Sequence, residues 1–354
     1  MPKDPNAVGA EWFHLRETDS GLHALDFAER IGVSEAELLA SVCGASADIT
    51  STRITTSDWP ALIAKLPTLG TVKTITRNPQ AVIEVEGTYD NIEFFGAMGQ
   101  SVSSVDLRIF SSRWRVGFRV NDKTKRGLSE SLQFFDAFGR AVHKLYLRES
   151  SDRSAFDALV AEYLADDQSQ TQAVEPAPAP VQAKADAEVD IAGMQNAWRS
   201  MTNTHEFFPL LREYGLVRTQ ALRLAGGDLA WPVQKASLEQ ILQAAAGTDL
   251  RLMVFVGNPG VLQIFSGAIK KVALMGPWVN ILDPRFNLHV RADLIDSAYV
   301  VRKPTAEGDV TSLEFYAADG EQIAYLVGKR KPGEQENETW RTMVRSLPRV
   351  HRTV

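Results

Sequence analysis

The chain has 354 residues, of which 44% are hydrophobic and 23% are charged. This length and composition are sufficient for two ordinary globular domains with their own cores. The formal net charge of −6 argues against a protein that coats a nucleic-acid backbone, because that role needs a clustered excess of basic residues. We therefore expect no nucleic-acid partner.

Membrane insertion and thiol chemistry are also disfavoured. No stretch approaches the ~20 consecutive apolar residues that a transmembrane helix needs, and the polar start of the chain lacks the apolar run of a signal peptide. These features predict no membrane span and a cytoplasmic protein. Cys43 is the only cysteine, so this chain alone can form neither an internal disulfide nor a thiolate zinc or iron–sulfur site.

The predicted elements follow the same order in both halves of the chain. The first half opens with a helical segment, DFAERIGVSEAELLASV, continues with roughly five to seven strand-like runs, and closes with the amphipathic SAFDALVAEYLA. The second half opens with HEFFPLLREYGLVRTQALRLA, again continues with strand-like runs, and closes with ETWRTMVRSL. Each half is therefore predicted to be an α+β domain, an antiparallel sheet with helices packed at one side.

Residues 168–190 separate the halves and contain Pro176, Pro178 and Pro180 but no aromatic residue. This composition favours a semi-extended, solvated linker with little to bury. We therefore expect a first domain over 1–167, a linker over 168–190 and a second domain over 191–354.

The two halves also repeat one another at the level of residues. LQFFDAFGRAVHKLYLRES aligns without a gap with LEFYAADGEQIAYLVGKRK, and each alternates polar and apolar residues on both sides of a turn at Gly139 or Gly320. This pattern is typical of a β-hairpin. Upstream, RNPQAVIEVEG matches GNPGVLQIFSG, and VDLRIFSSRW matches FNLHVRADLI. The chain is predicted to be a tandem duplication.

Common catalytic and nucleotide-binding signatures are absent, since the sequence contains no GxGxxG, GxxxxGK[ST], GxSxG, CxxC or HExxH. Its six histidines are dispersed, which favours a single-histidine ligand over a multi-histidine metal site. His205 is the most suggestive, because it lies just before or within the first turn of an amphipathic helix, beside Phe207 and Phe208. From the residues alone, a histidine that caps the helix or fills a surface notch is the commoner case.

The remaining candidates are weaker. His143 and His289 lie in strand-like runs and His351 lies in the basic tail RVHRTV, so we expect all three to be structural. Arg218, in LVRTQ, and Arg108, inside the apolar run VDLRIF, stand out among the cations. A buried arginine at either position would need an anionic partner.

Three segments of the second half follow one another in the order NTHEFFPLLREYGLVRTQALRLA, LMVFVGNPGVLQIFSG and VVRKPTAEGDVTSLEFYAADGEQIA. In this order they resemble the bacterial cytoplasmic hemin-transport and hemin-degrading (HemS/HmuS/ChuS/PhuS-like) family. GVSEAELLA, VDLRIF and SLQFFDAFGRAV extend the resemblance to the first half, and the linker and extreme ends carry none of it. The resemblance implies an α+β tandem duplication of two similar domains, each a large antiparallel β-sheet with flanking helices.

The resemblance also implies a heme site. His205, in THEFF, would be the proximal ligand of the heme iron, although Thr204 precedes it where Val is frequent in the family. The propionate-anchoring cations would be Arg218 and Lys303, and the distal-side arginine would be Arg108. Because Arg108 belongs to the first half, the resemblance implies that heme, iron protoporphyrin IX, binds near where the halves meet.

Further pocket-lining positions of the family fall on Phe110, Phe255 and Arg330. Tyr325 and Val327 depart from the family, whose other members carry Gln and an aromatic residue there. An imidazole for iron, cations for two propionates and aromatic cover for the porphyrin form a chemically coherent set.

Three functions stay open on this basis. The favoured one is a carrier that accepts imported heme from an importer during iron acquisition and passes it to a degrading enzyme such as a heme oxygenase. The second is heme degradation by the chain itself, with Arg108 as the distal catalytic residue and electrons from a separate reductase, since the sequence offers no flavin or nicotinamide site. The third is an interaction scaffold without heme.

Overall fold

The computed structural model describes residues 3–19, 21–45, 47–125, 127–179, 182–330 and 333–350. The chain forms two compact units. Unit 1 consists of Met1–Arg77, Glu84–Pro178 and Gly257–Gln263, and unit 2 consists of Asn78–Ile83, Ala179–Val256 and Ile264–Val354. Each unit thus includes a short segment from the other half of the sequence. Pro180 and His351, named above, lie outside the described residues.

The first half of the chain contains the following elements in order: α1 Pro5–Thr18, α2 Ala24–Ile31, α3 Glu35–Ala40, β1 Ile49–Ile54, α4 Trp59–Ile63, β2 Gly70–Arg77, β3 Ala81–Gly87, β4 Ile92–Phe95, β5 Met98–Ser101, β6 Asp106–Phe110, β7 Val116–Thr124, β8 Gly127–Phe135, β9 Ala141–Ser151 and α5 Arg153–Glu162.

The second half repeats this order with α6 Ile191–Arg199, α7 Phe207–Tyr214, α8 Arg218–Leu224, β10 Ala230–Val233, α9 Ser237–Ala246, β11 Arg251–Asn258, β12 Val261–Ala268, β13 Val272–Met275, β14 Trp278–Asp283, β15 Phe286–Arg291, β16 Ser297–Lys303, β17 Val310–Tyr316, β18 Gln322–Gly328 and α10 Glu338–Arg345. The described helices include none with both the length and the apolar character that a bilayer crossing requires.

Strand pairing confirms the duplication. In unit 1 an antiparallel sheet has the order β1-β7-β8-β9-β2, and β4, β5 and β6 form a three-stranded ladder. In unit 2 the order is β10-β16-β17-β18-β11, and β13, β14 and β15 form the corresponding ladder. The two units therefore correspond strand by strand, and the α+β prediction is confirmed.

The predicted hairpins are β8–β9 and β17–β18. Each turn contains a glycine in the left-handed region, Gly139 at φ 73° and Gly320 at φ 84°. A side chain with a Cβ is strained at such angles, so glycine at these two positions fits the tight turn that alternation alone had suggested.

In unit 1 the helices lie on both faces of the sheet, whereas the sequence pattern predicts helices on one side only. In unit 1, Phe118 and Phe135 pack against α1–α3, whereas Leu132 and Phe134 pack in a separate cluster with α4 and α5. Strand β8 is accordingly buried at every residue from Glu130 to Phe135. Polar residues of β8 such as Ser131 and Gln133, which alternation assigns to an exposed face, are buried because helices cover both faces, and the one-sided expectation is therefore wrong.

Matching asparagines lie where β2 and β11 end, since Asn78 directly follows β2 and Asn258 is the last residue of β11. Asn258 donates its side-chain amide to the carbonyl oxygens of Arg77 (3.0 Å) and Val142 (2.8 Å), all within unit 1. Asn78 donates in the same way to the carbonyl of Ile323 (2.8 Å), within unit 2. Each side-chain oxygen also accepts from two backbone amides of its own turn. Asn258 therefore anchors the segment 257–263 to the β8–β9 hairpin of unit 1, and Asn78 anchors the segment 78–83 to the β17–β18 hairpin of unit 2.

The described residues of the segment 168–190 are largely exposed, but both ends of the segment are anchored. At its start, the Arg53 guanidinium donates to the carbonyls of Ser169 (3.1 Å) and Thr171 (2.5 Å). At its end, Asp186 accepts hydrogen bonds from Arg223 and from Gln220 (2.9 Å). No periodic sequence pattern indicates these contacts, because each depends on a single long side chain from a distant element.

Replacing either turn asparagine should destabilise the fold. We expect Asn258→Ala and Asn78→Ala each to lower the free energy of unfolding by about 2–3 kcal/mol, because each leaves several buried backbone groups without partners. Urea unfolding followed by circular dichroism measures this change. Asn196→Ala, at an exposed position of α6, is the matched control and should change stability by less than about 0.5 kcal/mol. Equal effects in all three variants would contradict the anchoring role.

Candidate functional site

His205 lies in a 3-10 turn, Thr204–Glu206, directly before α7, as the sequence predicted. Asn203 caps this turn, since its side-chain oxygen accepts from the His205 backbone amide at 2.9 Å. The cap is therefore Asn203 and not His205. The imidazole of His205 is exposed, and within the described ranges no residue forms a hydrogen bond with its ring. Both ring nitrogens remain available to a ligand.

Two phenylalanines follow His205 and have opposite environments. Phe207 is 1% exposed and packs edge-on against Trp198, with ring centroids 4.6 Å apart. Phe208 is 63% exposed. The Arg218 guanidinium lies 5.1 Å from the Phe207 ring and 5.5 Å from the Phe208 ring. An apolar, partly exposed surface therefore adjoins both the histidine turn and a cation.

Arg218 and Lys303 converge on one buried carboxylate, Glu314. The Arg218 Nη2 donates to both oxygens of Glu314 at 2.8 Å, and the Lys303 Nζ donates at 3.0 Å. Further donors to the same carboxylate are Ser312, Tyr316 and Gln322. We call these six residues the Glu314 group. Arg218 begins α8, whereas the others lie on neighbouring strands, so the group joins helix and sheet within unit 2.

The two cations of the Glu314 group are more exposed to solvent than the carboxylate that they bind. The side chain of Glu314 is fully buried, whereas those of Arg218 and Lys303 retain 14% and 11% of their surface. The two cations therefore cover the carboxylate and keep a limited contact with solvent. With one anion and two cations, the group presents a net positive charge to any ligand that reaches it.

Burial and mutual attraction shift the proton affinities of this group. Burial alone would raise the pKa of Glu314, but the charges of Arg218 and Lys303 outweigh it and hold that pKa below its usual value. Burial lowers the pKa of Lys303 to about 8, with Arg218 acting in the same direction and Glu314 opposing it. At neutral pH the carboxylate is ionised and the lysine is protonated.

A row of aromatic and apolar side chains continues from Glu314 across the sheet. Tyr325 pairs directly with Glu314 on the neighbouring strand, and Phe255 pairs with Tyr325 on the strand after that. The two rings are stacked, with centroids 4.2 Å apart and planes inclined by 9°. Both are half-buried, as are Met253 and Val327 beside them. This face of unit 2 offers a flat aromatic surface next to cations.

The other candidate residues lie elsewhere. Arg330, just after β18, donates to the carbonyl of Glu334 at 3.2 Å and is half-buried. Arg108 and Phe110 lie on β6 in unit 1. Arg108 forms an ion pair with Asp106, and its side chain is 37% exposed. The structure therefore groups Arg218, Lys303 and the Phe255 face in unit 2 and describes Arg108 within unit 1.

The histidines expected to be structural contrast with His205. His143 is 1% exposed and its two ring nitrogens contact the hydroxyls of Thr76 (2.9 Å) and Tyr89 (2.7 Å). His289 pairs with Asn280 at 2.7 Å. Both agree with the structural interpretation. Over the part of the chain that the structure describes, no three His, Cys, Asp or Glu side chains are grouped so as to hold a metal ion.

The Glu314 carboxylate is the main feature that sequence analysis missed. The one available signal is the alternation in TSLEFY, which places Ser312, Glu314 and Tyr316 on one strand face. A glutamate in such a run is more often exposed, because burial of a charge needs partners that the sequence does not place. The partners come from α8 and two other strands.

Comparison with known proteins identifies the family. The model of the haemin-degrading HemS.ChuX domain matches this chain twice, over residues 32–163 and 215–347. These two stretches cover more than half of the sequence. The chain belongs to this family. The repeated match agrees with the duplication found in the strand order.

Relatives match almost the whole chain. The hemin transport protein HmuS of Yersinia pestis is 41% identical, over 95% of this chain and 96% of its own length. The solved structure of holo-PhuS, a heme-binding protein from Pseudomonas aeruginosa, has a TM-score of 0.93 at 39% identity, covering 98% of this chain and 100% of that one. The heme degrading enzyme ChuS of Escherichia coli O157:H7 gives 0.88 at 37% identity, covering 98% and 100%.

The buried histidine should make the fold acid-sensitive. Burial lowers the pKa of His143 from 6.5 to about 3, so between these values the unfolded chain binds a proton that the folded chain does not. The stabilisation is complete above pH 6.5 and is lost as the pH falls towards 3. We expect unfolding free energy to drop by about 1–2 kcal/mol more between pH 6.5 and 5 in the wild type than in His143→Gln.

Urea titrations at both pH values measure this difference. His14→Gln is the control, because His14 is exposed on α1. An unchanged pH dependence in His143→Gln would contradict the assignment of a neutral, buried imidazole.

Proposed function

We propose that the chain binds one heme, with the His205 imidazole as the axial protein ligand of the iron, and acts as a cytoplasmic heme carrier in iron acquisition. The observation that carries this proposal is the exposed His205 ring without a hydrogen-bond partner among the described residues, held on a capped turn. An accessible imidazole on a fixed backbone suits ligation of heme iron. Family membership supports the same conclusion.

The surroundings of His205 suit the rest of the porphyrin. Propionates are carboxylates and need cations, which Arg218 and Lys303 supply with a net positive charge beyond that used by Glu314. The porphyrin face needs apolar cover, which the exposed Phe208 and the stacked Phe255 and Tyr325 offer.

Further residues belong to the proposal on the family resemblance. Arg330 is proposed to line the site, and Arg108 and Phe110 are proposed to serve the distal side of heme. A carrier also needs a donor and an acceptor, and we propose a heme importer and a heme oxygenase or its reductase as these partners. The names of the relatives, a hemin transport protein and a heme-binding protein, favour the carrier role.

Heme degradation is the second candidate function, because a relative 37% identical to this chain is named a heme degrading enzyme. In that role bound heme supplies the redox chemistry, and electrons come from a separate reductase. Arg108 would then be the distal residue that donates hydrogen bonds to water beside the porphyrin and so orients it. An interaction scaffold without heme is the third alternative, and it leaves the accessible imidazole of His205 and the Arg218–Lys303 pair without a use.

Titration of hemin into the purified chain tests the binding proposal. We expect a saturable one-to-one shift of the Soret band in the wild type. His205→Ala should weaken binding by about two orders of magnitude, roughly 2.8 kcal/mol, because the axial bond is lost. His14→Ala, an exposed histidine on α1, should bind as the wild type does. Equal binding by His205→Ala would refute the ligand assignment, and no saturable shift in the wild type would refute heme binding.

The same complex separates carrier from enzyme. A reductant is added in air with catalase present to remove free peroxide, and the Soret band is followed with an iron chelator in solution. A stable band supports the carrier. Bleaching that resists catalase and releases iron supports the enzyme, and Arg108→Ala should then slow it relative to Arg113→Ala, a nearby control arginine.

A further inference from the structure

Glu314 uses only part of the donors of Arg218 and Lys303. Arg218 contacts Glu314 through Nε and Nη2, and no described residue accepts a hydrogen bond from its Nη1. Lys303 gives one of its three N–H groups to Glu314. The remaining donors lie on side chains that retain 14% and 11% exposure. A ligand carboxylate can therefore reach the cations without displacing the fully buried Glu314.

Glu314 itself is held too firmly to leave. Besides the two cations, it accepts hydrogen bonds from Ser312 at 2.6 Å, from Gln322 at 3.1 Å and from the Tyr316 hydroxyl. A buried carboxylate with this many donors is ionised and fixed in position. It acts as a permanent counter-ion that cancels one of the two positive charges.

The other repeat shows that this fold does not need a charge at the position of Glu314. In the gap-free alignment of the two hairpins, Gln133 takes the place of Glu314, and it is 5% exposed. Gln133 donates to Ser131 at 3.1 Å, the same neighbour relation as that of Glu314 and Ser312. A neutral amide is thus accommodated in the equivalent strand. The carboxylate thus occurs in the repeat whose helix α8 begins with the cation Arg218. In the other repeat the corresponding helix, α3, begins with Glu35.

We propose that Glu314 is a positioning residue that limits the Arg218–Lys303 pair to one net positive charge and so sets how strongly the site holds a ligand carboxylate. This inference rests on the proposed function, in which that carboxylate is a heme propionate. The counter-ion keeps both cations in place when no ligand is present, and it prevents them from binding the anion too tightly for release. Glu314 thereby favours transfer over storage.

Removal of the charge should slow release of ligands that carry carboxylates. We expect Glu314→Gln to slow hemin transfer to excess apomyoglobin by about tenfold, because an added unit charge acts on the anion in a poorly solvated site. Transfer of hemin dimethyl ester, whose propionates are uncharged, should change by less than about twofold. A merely structural effect of the substitution would move both ligands together.

Glu336→Gln is the matched control. Glu336 is also a buried carboxylate of unit 2, but it binds Thr311 and Arg341 instead of the Glu314 group. It should leave the ratio of hemin to ester transfer rates unchanged. The inference is overturned if Glu314→Gln retains the near-ultraviolet circular dichroism of the wild type and has the same ratio as Glu336→Gln.

A second experiment needs no heme and so separates failure of this inference from failure of the proposed function. Glu314→Ala removes the counter-ion and opens space beside the cations, and its melting temperature should fall. Acetate should recover part of that loss, whereas acetamide at the same concentration and ionic strength should not. Glu336→Ala should show no preference for acetate over acetamide. Absence of acetate rescue in Glu314→Ala overturns the inference even if the wild type binds hemin.

Discussion

The pairing of a fully buried carboxylate with two cations is the constraint around which the candidate site is organised. Glu314 joins Arg218 at the start of α8 to Lys303 on β16, and the ring of Phe207 lies 4.9 Å from the Lys303 ammonium. Loss of one partner from such a buried set costs about 3–5 kcal/mol, since a charge is then left without compensation. The start of α7, and with it the turn that carries His205, is therefore fixed relative to the sheet of unit 2.

The duplication explains how one chain can carry two similar frameworks with different chemistry. Both units share the order of their central strands, and both hairpins turn at a glycine. The residue types at matching positions differ: Arg218 of unit 2 corresponds to Glu35 of unit 1, and Glu314 corresponds to Gln133. In unit 1 the buried acid is instead on the helix, and Glu35 pairs with Lys144 on the sheet at 2.7 Å. Both units therefore keep the same strand order, but the acid lies on the sheet in unit 2 and on the helix in unit 1.

Much of this fold follows from local sequence. Alternation around Gly139 and Gly320 predicted both hairpins, and the position of His205 before a helix follows from the apolar spacing of the residues after it. Such features depend on neighbours in sequence. Helix coverage of both faces of the unit 1 sheet could not be predicted, because alternation in β8 assigns Ser131 and Gln133 to an exposed face, whereas both are buried.

The site was predictable only in part. The family resemblance pointed to His205, Arg218 and Lys303, but not to Glu314, which needs partners more than ten residues away in sequence and on other elements. The asparagine turns are similar, since Asn78 and Asn258 bond to hairpins far along the chain. Long-range partners of single polar side chains are decided by the fold, and one sequence carries little trace of them.

The iron–histidine stretching band in the resonance Raman spectrum of the reduced heme complex tests directly whether His205 is the ligand of the iron. We expect this band in the wild type, its loss in His205→Gly, and its return as an iron–imidazole band when free imidazole is added to that variant. Persistence of the iron–histidine band in His205→Gly without imidazole would contradict the assignment of His205, because another histidine would then hold the iron.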